Sequence, residues 1–449
     1  MKNNNTSGRS SPAHFLVFGF VGIILLGTAF LMLPYSTVKG ISLVDALFTS
    51  TSSVCVTGLI VKNTSADFTL FGKLVILVLI QIGGLGYMSF ATLLALLAGR
   101  KIGISERLLI KESLNIGTFE GIVKFMKGMI IFVFISEGLG ALFLTVRFMN
   151  DYPFGDAIFN GVFHAVSAFN NAGFSLFPDS LIRFRGDMTV NVVVMALIIL
   201  GGIGFVVVDD LYGWFRRRRE RLMTHTLLVV ISTVILIVAG AFIFYFIERE
   251  YFFKNSGIST HEIILSSLFA SVTARTAGFN TIDYSVLQPA TLFFTIILML
   301  IGASPGSTGG GIKTTTISVV MMHLWCTIRG RKDTVVFKRR IPEYLISRSL
   351  VILALAVIFV NLITLVIVDI EHTPFQKTMF EVVSAFGTVG LSTGDGAAGS
   401  LCAAFSGLSK VIITFTMLAG RLGPLTLFMA LLKQRGERIR YPEGRIMIG

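Results

Sequence analysis

Charged side chains are scarce along this chain. Lys, Arg, Asp and Glu make up 14% of its 449 residues, whereas soluble domains carry about 25%. The scarcity goes with 53% hydrophobic residues and a mean hydropathy of +0.80. These values argue against an ordinary soluble protein and indicate a chain whose solvent is the lipid bilayer.

Cysteine is also scarce, with only Cys55, Cys326 and Cys402 in the sequence. They lie far apart without a CxxC pair, and the six histidines are scattered as well. Neither a disulfide framework nor a resident metal site is therefore predicted. The sequence has no GxGxxG after a strand and no Walker A motif, so we expect no nucleotide site on this chain. It shows no constellation of His, Asp or Glu at membrane depth, so we expect that it is not an enzyme.

Long apolar runs are plentiful instead. Those of about 20 residues qualify as membrane-spanning helices, and they cover residues 15–33, 68–97, 123–148, 190–214, 226–247, 290–328, 345–370 and 406–432. The first run is expected to be a retained span, because it is too long for a signal-peptide core. Runs of about 12 residues are too short to cross and lie at residues 43–54, 156–168, 261–273 and 375–385. They predict re-entrant segments between pairs of spans.

A glycine followed by a large apolar residue stands after each short run. These glycines are Gly58, Gly173, Gly278 and Gly390, and they are 115, 105 and 112 residues apart. The spacing predicts one unit used four times, with boundaries at residues 1–99, 100–222, 223–340 and 341–449. The predicted fold is an all-α polytopic membrane protein with four helix–pore-loop–helix repeats. Eight transmembrane helices and four re-entrant pore helices would surround one central pore.

Basic residues predict the orientation. Of the 38 Lys and Arg residues, 25 lie in the N-terminal segment, the connections between units and the C-terminal tail. Because short cytoplasmic loops are enriched in Lys and Arg, both termini are expected to be cytoplasmic and the glycine motifs to open outside. The net charge of +13 is then a topology signal, and no nucleic-acid partner is expected.

Four linked glycine loops can build a cation filter. Potassium channels replace the hydration shell of the ion with rings of backbone carbonyls from four loops, and such loops need backbone dihedrals that glycine reaches readily. A single glycine motif would favour a packing contact between helices, but four copies on one side favour the filter. The predicted ion-binding residues are Cys55, Val56, Thr57, Gly58, Asn170, Asn171, Ala172, Gly173, Arg275, Thr276, Ala277, Gly278, Gly387, Thr388, Val389 and Gly390.

The same motifs carry a family resemblance. The chain reads SAFNNAGFS around Gly173, TARTAGFN around Gly278 and SAFGTVGL around Gly390. It resembles, over nearly its whole length, the membrane subunit of the Ktr/Trk/HKT superfamily of potassium transporters, and most closely the bacterial Ktr branch. The resemblance implies that the four glycines line the filter. A glycine at Gly58 implies a preference for potassium, since serine there goes with sodium selectivity in some relatives. Cys55 stands where threonine is commoner.

The resemblance also implies partners and ions. It implies potassium uptake across the cell membrane by a multi-pass, lipid-embedded homodimer, with K⁺ as the transported ion and Na⁺ as a candidate activator. A cytosolic ring of regulatory subunits would bind the nucleotide. The basic residues 216–219 and 338–340 are either its docking face or topology signals alone.

A glycine-rich segment interrupts the longest apolar run. One proline and five glycines fall within residues 302–313, and such a composition cannot continue a straight helix. It predicts two half-helices joined by an unwound loop at membrane depth, either a kink without function or a gate. The resemblance supports the gate. The predicted gate residues are Gly302, Ala303, Ser304, Pro305, Gly306, Ser307, Thr308, Gly309, Gly310, Gly311, Lys313 and Arg421.

Three charges inside the predicted spans need an account. Arg421 is costly at membrane depth and therefore predicts a function: it repels cations beside the pore or anchors the broken loop through its carbonyls. The structural alternative is an ion pair with an acid such as Glu381. Lys313 either serves the gate or reaches cytoplasmic water. Glu137 is expected to be a structural hydrogen-bonding group. The equivalent spans of the other units carry shorter glycine breaks within residues 83–86, 201–204 and 420–424, and these glycines predict close helix packing.

The alternative function is ion-coupled secondary symport, because broken helices also form substrate sites in symporters. Such proteins usually contain inverted repeats of about five spans. Four parallel repeats of two spans favour the channel-like interpretation.

Overall fold

The computed structural model describes residues 12–86, 89, 122–217, 220–254, 257–394, 399–423 and 425–427. Within these ranges the chain is almost entirely helical. The α-helices are α1 (Pro12–Leu31), α2 (Leu43–Val54), α3 (Leu70–Leu85), α4 (Ile122–Phe148), α5 (Phe154–Phe169), α6 (Met188–Gly202), α7 (Phe205–Phe215), α8 (Thr224–Glu248), α9 (Thr260–Thr273), α10 (Pro289–Leu300), α11 (Thr314–Ile328), α12 (Glu343–Glu371), α13 (Phe375–Gly387) and α14 (Gly407–Leu422). A small antiparallel hairpin, β1 (Val335–Val336) and β2 (Arg339–Arg340), joins α11 to α12.

The short helices α2, α5, α9 and α13 begin with clear start signals. Ser42 caps α2 by accepting from the Asp45 N–H, and Ser259 forms a capping box with Glu262 at the start of α9. A proline, which cannot continue a preceding helix, stands directly before α5 and α13. The C-terminal halves of all four helices are buried.

These short helices are packed in a cycle. Each contacts the helix before it and also the second long helix of the preceding unit. Thus α5 packs on α3, α9 on α6, and α13 on α10. The first short helix, α2, packs on α14 near the other end of the chain. The arrangement therefore closes on itself, and it surrounds the loops that follow the short helices.

The helices α1, α4, α8 and α12 form the outer layer. Each contains a stretch that is long and apolar enough to cross a membrane, and the bent pair α6–α7 makes a fifth candidate among the described residues. Large apolar side chains such as Phe18, Leu26 and Phe242 are exposed on their outer faces, as lipid contact requires. The predicted count of eight spans stays a prediction, because residues 90–97 and 428–432 of two runs lie outside the described ranges.

Two predicted runs are broken. The run at 290–328 ends as a helix at Leu300 and resumes at Thr314, so its predicted interruption is confirmed. The run at 190–214 is broken at the shorter break predicted within residues 201–204, and this break is sharp, because α6 and α7 meet at an angle of 97°. Gly204 at the bend has a φ of 97°, and the next N–H, that of Phe205, donates to Gly306 O at 2.9 Å. The segment between α10 and α11 thus takes over a backbone partner that a straight helix would have supplied.

Candidate functional site

The loops that follow the four short helices meet at one place. Each contains one glycine with a positive φ, a conformation that L side chains rarely adopt. We call these the ring glycines; their φ values are 89° for Gly58, 68° for Gly173, 77° for Gly278 and 93° for Gly390. The four sequence motifs, spread over more than 330 residues of chain, are therefore brought together in space.

Each ring glycine lies against the backbone of the next loop. A Cβ on Gly58 would stand 2.5 Å from the carbonyl oxygen of Ala172. The same relation holds for the other three glycines, with Gly173 against Ala277 O, Gly278 against Val389 O and Gly390 against Thr57 O. The last of these contacts returns to the first loop and closes the ring. Any side chain would meet a carbonyl oxygen, which explains why glycine stands at each position.

The residue two places before each ring glycine also has a positive φ. These residues are Val56 at 56°, Asn171 at 58°, Thr276 at 75° and Thr388 at 49°. Left-handed backbone in bulky or β-branched residues is uncommon and costs about 1–3 kcal/mol each. It persists where the surroundings impose it, commonly at functional sites.

Hydroxyl groups at the ends of the short helices fix the loops. Ser52 Oγ accepts from the Gly58 N–H at 3.1 Å and donates to Leu59 O at 2.7 Å. Ser167 donates to Phe174 O at 2.8 Å, and Ser384 accepts from the Gly390 N–H at 3.0 Å. In the third loop Thr273 donates to Phe279 O at 2.5 Å. The serines stand six residues before their ring glycines, and Val272 is the residue at that position in the third loop. The hydroxyl comes instead from the next residue, Thr273, and this offset was not predicted. Its only signal was a hydroxyl residue beside an apolar one.

The residue at the start of each loop differs among the four. Cys55 is buried, and Gly387 packs against Met299 O. Arg275 is 7% exposed, and its Nη2 donates weakly to Thr233 Oγ1 at 3.4 Å. Asn170 is fully buried. The starts of the loops therefore lie in chemically different surroundings, although the ring itself repeats.

The segment between α10 and α11, residues 301–313, lies directly against these loops; we call it the intramembrane loop. The Gly310 N–H donates to Thr388 Oγ1 at 2.9 Å, and Thr308 Oγ1 donates to Phe169 O at 3.3 Å. A Cβ on Gly309 would overlap Thr276 Oγ1. The predicted gate residues thus touch predicted filter residues of the third and fourth loops and the helix end before the second.

Backbone hydrogen bonds hold the intramembrane loop to its neighbours. The Ser304 and Thr308 N–H groups donate to Gly202 O and Gly201 O at 3.1 and 3.2 Å. The Gly311 N–H donates to Gly420 O at 3.2 Å. These acceptors lie at the glycine breaks predicted for close packing, so the breaks also offer carbonyls to the loop.

Further contacts within the loop fix its remaining residues. Ser307 Oγ donates to Ser304 O at 2.6 Å. Lys313 is half-buried, and its Nζ donates to Gly309 O at 2.6 Å. Pro305 O and Gly306 O both lie beside Gly204, and Ala303 is buried.

Arg421 lies at the end of α14 and binds backbone carbonyls. Its guanidinium donates to Thr308 O in the intramembrane loop and to Gly83 O and Gly84 O at the end of α3. The alternative of an ion pair with Glu381 is wrong, because that carboxylate accepts instead from Ser392 Oγ at 2.7 Å and the Cys402 N–H at 3.1 Å. Among the three alternatives, the geometry supports anchoring of the loop.

Metal-ligating side chains are dispersed in the part of the chain that the structure describes. Among the described residues no three His, Cys, Asp or Glu side chains come together as a metal site. Gln81, which contacts Glu137 and Asn170 behind the second loop, is not among the residues predicted from the sequence. Its only signal was a lone glutamine in an apolar run.

Comparison with known proteins gives consistent matches. The family model TrkH, described as cation transport protein, matches residues 25–437. The chain is 41% identical over 447 residues to Ktr system potassium uptake protein B of Bacillus subtilis, covering 98% of this chain and 97% of that protein. It is 36% identical over 441 residues to the protein of the same name in Vibrio alginolyticus, covering 98% and 96%.

Two further relatives extend the comparison. Potassium/sodium uptake protein NtpJ of Enterococcus hirae is 36% identical over 451 residues, covering 98% of each chain. The crystal structure of the potassium transporter TrkH from Vibrio parahaemolyticus superposes with a TM-score of 0.73 at 16% identity, covering 96% of this chain and 87% of that one. At that identity the structural match shows a shared fold.

Proposed function

The chain belongs to the TrkH family of cation transport proteins, as a multi-pass membrane subunit of the Ktr/Trk type, and from that premise we propose that it takes up potassium through the ring of four glycine loops. One observation carries the proposal: each ring glycine abuts the carbonyl preceding the next ring glycine, and the fourth returns to the first. Such a ring can replace the water lost by a dehydrating cation. The names of the relatives support K⁺ as the transported ion.

The proposed architecture is four repeats at residues 1–99, 100–222, 223–340 and 341–449. Each repeat contributes two spans, and α2, α5, α9 and α13 are the re-entrant pore helices. The cyclic packing of these four helices supports the proposal. Both termini are proposed to be cytoplasmic, on the basic side of the membrane.

The intramembrane loop is proposed to be the gate. It touches three of the four loops or their helix ends, and Arg421 ties it to α3. Displacement of the loop would free the pathway on the α11 side of the ring.

The proposed assembly is a homodimer regulated by a separate cytosolic nucleotide-binding ring, with Na⁺ as a candidate activator. The names of two relatives refer to a Ktr system, which supports a second component. The exposed residues Arg216, Arg217, Lys338, Arg339 and Arg340 are the proposed contact; Arg218 and Arg219 lie outside the described residues.

The filter is tested by two substitutions, Gly58→Ser and Gly278→Ser, in protein reconstituted into liposomes. Each added side chain would meet a carbonyl of the neighbouring loop, so we expect the preference for rubidium over sodium uptake to fall by about tenfold, a loss of about 1.4 kcal/mol. Gly330→Ser is the matched control, because Gly330 has a φ of 67° but no atom within 4 Å of a built Cβ. Unchanged discrimination in both ring variants would remove the filter assignment.

A further inference from the structure

A closed triangle of polar side chains lies behind the second glycine loop. Gln81 comes from α3, Glu137 from α4, and Asn170 is the residue that ends α5 and begins the loop. Glu137 is 5% exposed and Asn170 is fully buried. Polar groups at membrane depth are costly unless they are hydrogen-bonded. Every member of the triangle contacts the other two.

The orientation of the Asn170 amide is fixed by its neighbours. Its Nδ2 lies 2.9 Å from each of three acceptors, Gln81 Oε1, Glu137 Oε1 and Val166 O, which share its two hydrogens. All three neighbours are acceptors, so the amide nitrogen must face them. Its Oδ1 points at Gly84, where a Cβ would overlap it.

The orientation of Gln81 then follows. Its Oε1 faces Asn170, so its Nε2 is the end that faces Glu137, and it donates to Glu137 Oε2 at 3.2 Å. Glu137 therefore meets a donor at each of its two oxygens. A carboxylate has acceptors at both ends, whereas a glutamine has an acceptor at one end and a donor at the other.

The geometry points to Glu137 as a positioning residue for the second filter loop, an inference that rests on the proposed function. Its two carboxylate oxygens hold Asn170 and Gln81, and through Asn170 they fix where the loop begins. A buried carboxylate so placed links α3, α4 and α5 at the base of one filter loop.

The triangle obeys a parity rule that makes the inference testable. In Glu137→Gln, residues 81 and 137 are both glutamines, and each turns one end of its amide towards the same atom of Asn170. The two ends that face Asn170 must therefore be both oxygens or both nitrogens. The two ends that face each other are then also alike, both nitrogens or both oxygens. No set of amide flips avoids one nitrogen–nitrogen or oxygen–oxygen contact. The exchanged pair, Gln81→Glu with Glu137→Gln, removes the conflict, since residue 81 now supplies both acceptors and residue 137 donates to it.

The experiment measures rubidium over sodium uptake in liposomes for the single and the exchanged variants. We expect Glu137→Gln to reduce the discrimination by about tenfold, because a buried hydrogen bond to a charged group is replaced by a repulsive contact. Gln81→Glu alone places two carboxylates face to face and should reduce it similarly. The exchanged double variant should recover to within about threefold of the parent.

A matched control is Glu248→Gln. Glu248 is also fully buried, but one oxygen, Oε1, accepts from the Gln288 N–H and Thr291 Oγ1, while Oε2 has no hydrogen-bond partner among the described residues. An amide can replace it without a conflict, so discrimination should stay at the parent value.

The outcomes separate the inference from the proposed function. Parent-like discrimination in Glu137→Gln, while Gly58→Ser loses it, would overturn the role of Glu137 and leave the filter standing. Equal loss in Glu137→Gln and in the exchanged variant would also overturn it, because the exchange restores every contact. If Glu137→Gln does not fold, the exchanged variant decides alone, and its failure to fold or to discriminate counts against the inference. Unchanged discrimination in the ring variants would instead remove the filter.

Discussion

Arg421 donates to carbonyls from two distant parts of the chain. Thr308 belongs to the intramembrane loop, and Gly83 and Gly84 end α3. The planar guanidinium carries five donors in a fixed fork and stays charged at membrane depth. The carbonyl oxygens of Gly83 and Gly84 are good partners for it, because they lie at the C-terminal end of α3, where the helix dipole is negative. Arg421 therefore compensates its own burial while it fixes the loop.

Replacing Arg421 with Ala should free the intramembrane loop. We expect faster rubidium uptake and a free energy of unfolding lower by about 2–4 kcal/mol, because buried carbonyls lose a charged donor. Uptake into liposomes and thermal melting in detergent measure the two effects. Arg421→Lys is the informative comparison, since it keeps the charge but cannot bridge with a planar fork. Uptake and melting unchanged in the alanine variant would contradict the anchoring role.

The sequence predicts individual residues unevenly. The ring glycines are recoverable because the backbone of a neighbouring loop forbids a side chain, and that constraint repeats four times. Glu137 is recognisable as a buried polar group, but its partners Gln81 and Asn170 are 56 and 33 residues away. No periodicity records such pairings, because they depend on how α3, α4 and α5 pack. The pairing of Arg421 with carbonyls, and not with Glu381, has the same cause.

At the scale of elements, the two ends of the intramembrane loop lie next to each other. The Gly302 N–H donates to Ile312 O at 2.8 Å, and Ile301 and Ile312 form a parallel bridge. A Cβ on Gly302 would lie 3.0 Å from the Cα of Gly311. The loop can therefore be shortened between these residues without moving α10 and α11 far apart.

Deletion of residues 303–310 should raise rubidium uptake, by about tenfold if the loop holds the pathway closed by about 1.4 kcal/mol. A control replaces the same residues with a Gly-Ser linker of equal length, which keeps the chain length but removes the Thr308 hydroxyl contact and the Ala303 side chain. Comparing rubidium uptake into liposomes by the two variants then distinguishes the effect of the loop's specific contacts from the effect of its bulk. A deletion variant that conducts no faster than the parent would show that the loop is not a gate.

Elements were predictable where composition leaves few choices. The proline and glycines within residues 302–313 exclude a straight helix, and the short helices follow from length and capping. The break between α6 and α7 was predicted from the glycines of residues 201–204, but its angle of 97° was not. Its run contains four glycines, which a packed membrane helix tolerates. The partner that takes over the Phe205 N–H is Gly306, about 100 residues away. Local composition cannot carry that information.

At the scale of the whole molecule, the ring needs every part of the chain. The first loop contacts the last through Gly390 and Thr57, and Ser400 exchanges hydrogen bonds with Ile60. The α2 helix also packs on α14. A single axis enclosed in this way resembles a filter more than the interface between two moving halves that alternating access requires.

That difference predicts how uptake is driven. A filter needs only the gradient of the permeating ion, so purified protein in liposomes should take up rubidium when neither a sodium gradient nor a proton gradient is imposed. A symporter would require one of them, because its conformational cycle is coupled to a second ion. Liposomes carrying Gly58→Ser provide the control, since they should keep the same driving force but lose preference for rubidium over sodium. Uptake that appears only with an imposed sodium or proton gradient would favour symport, and the closed ring of carbonyls would then need a role other than conduction.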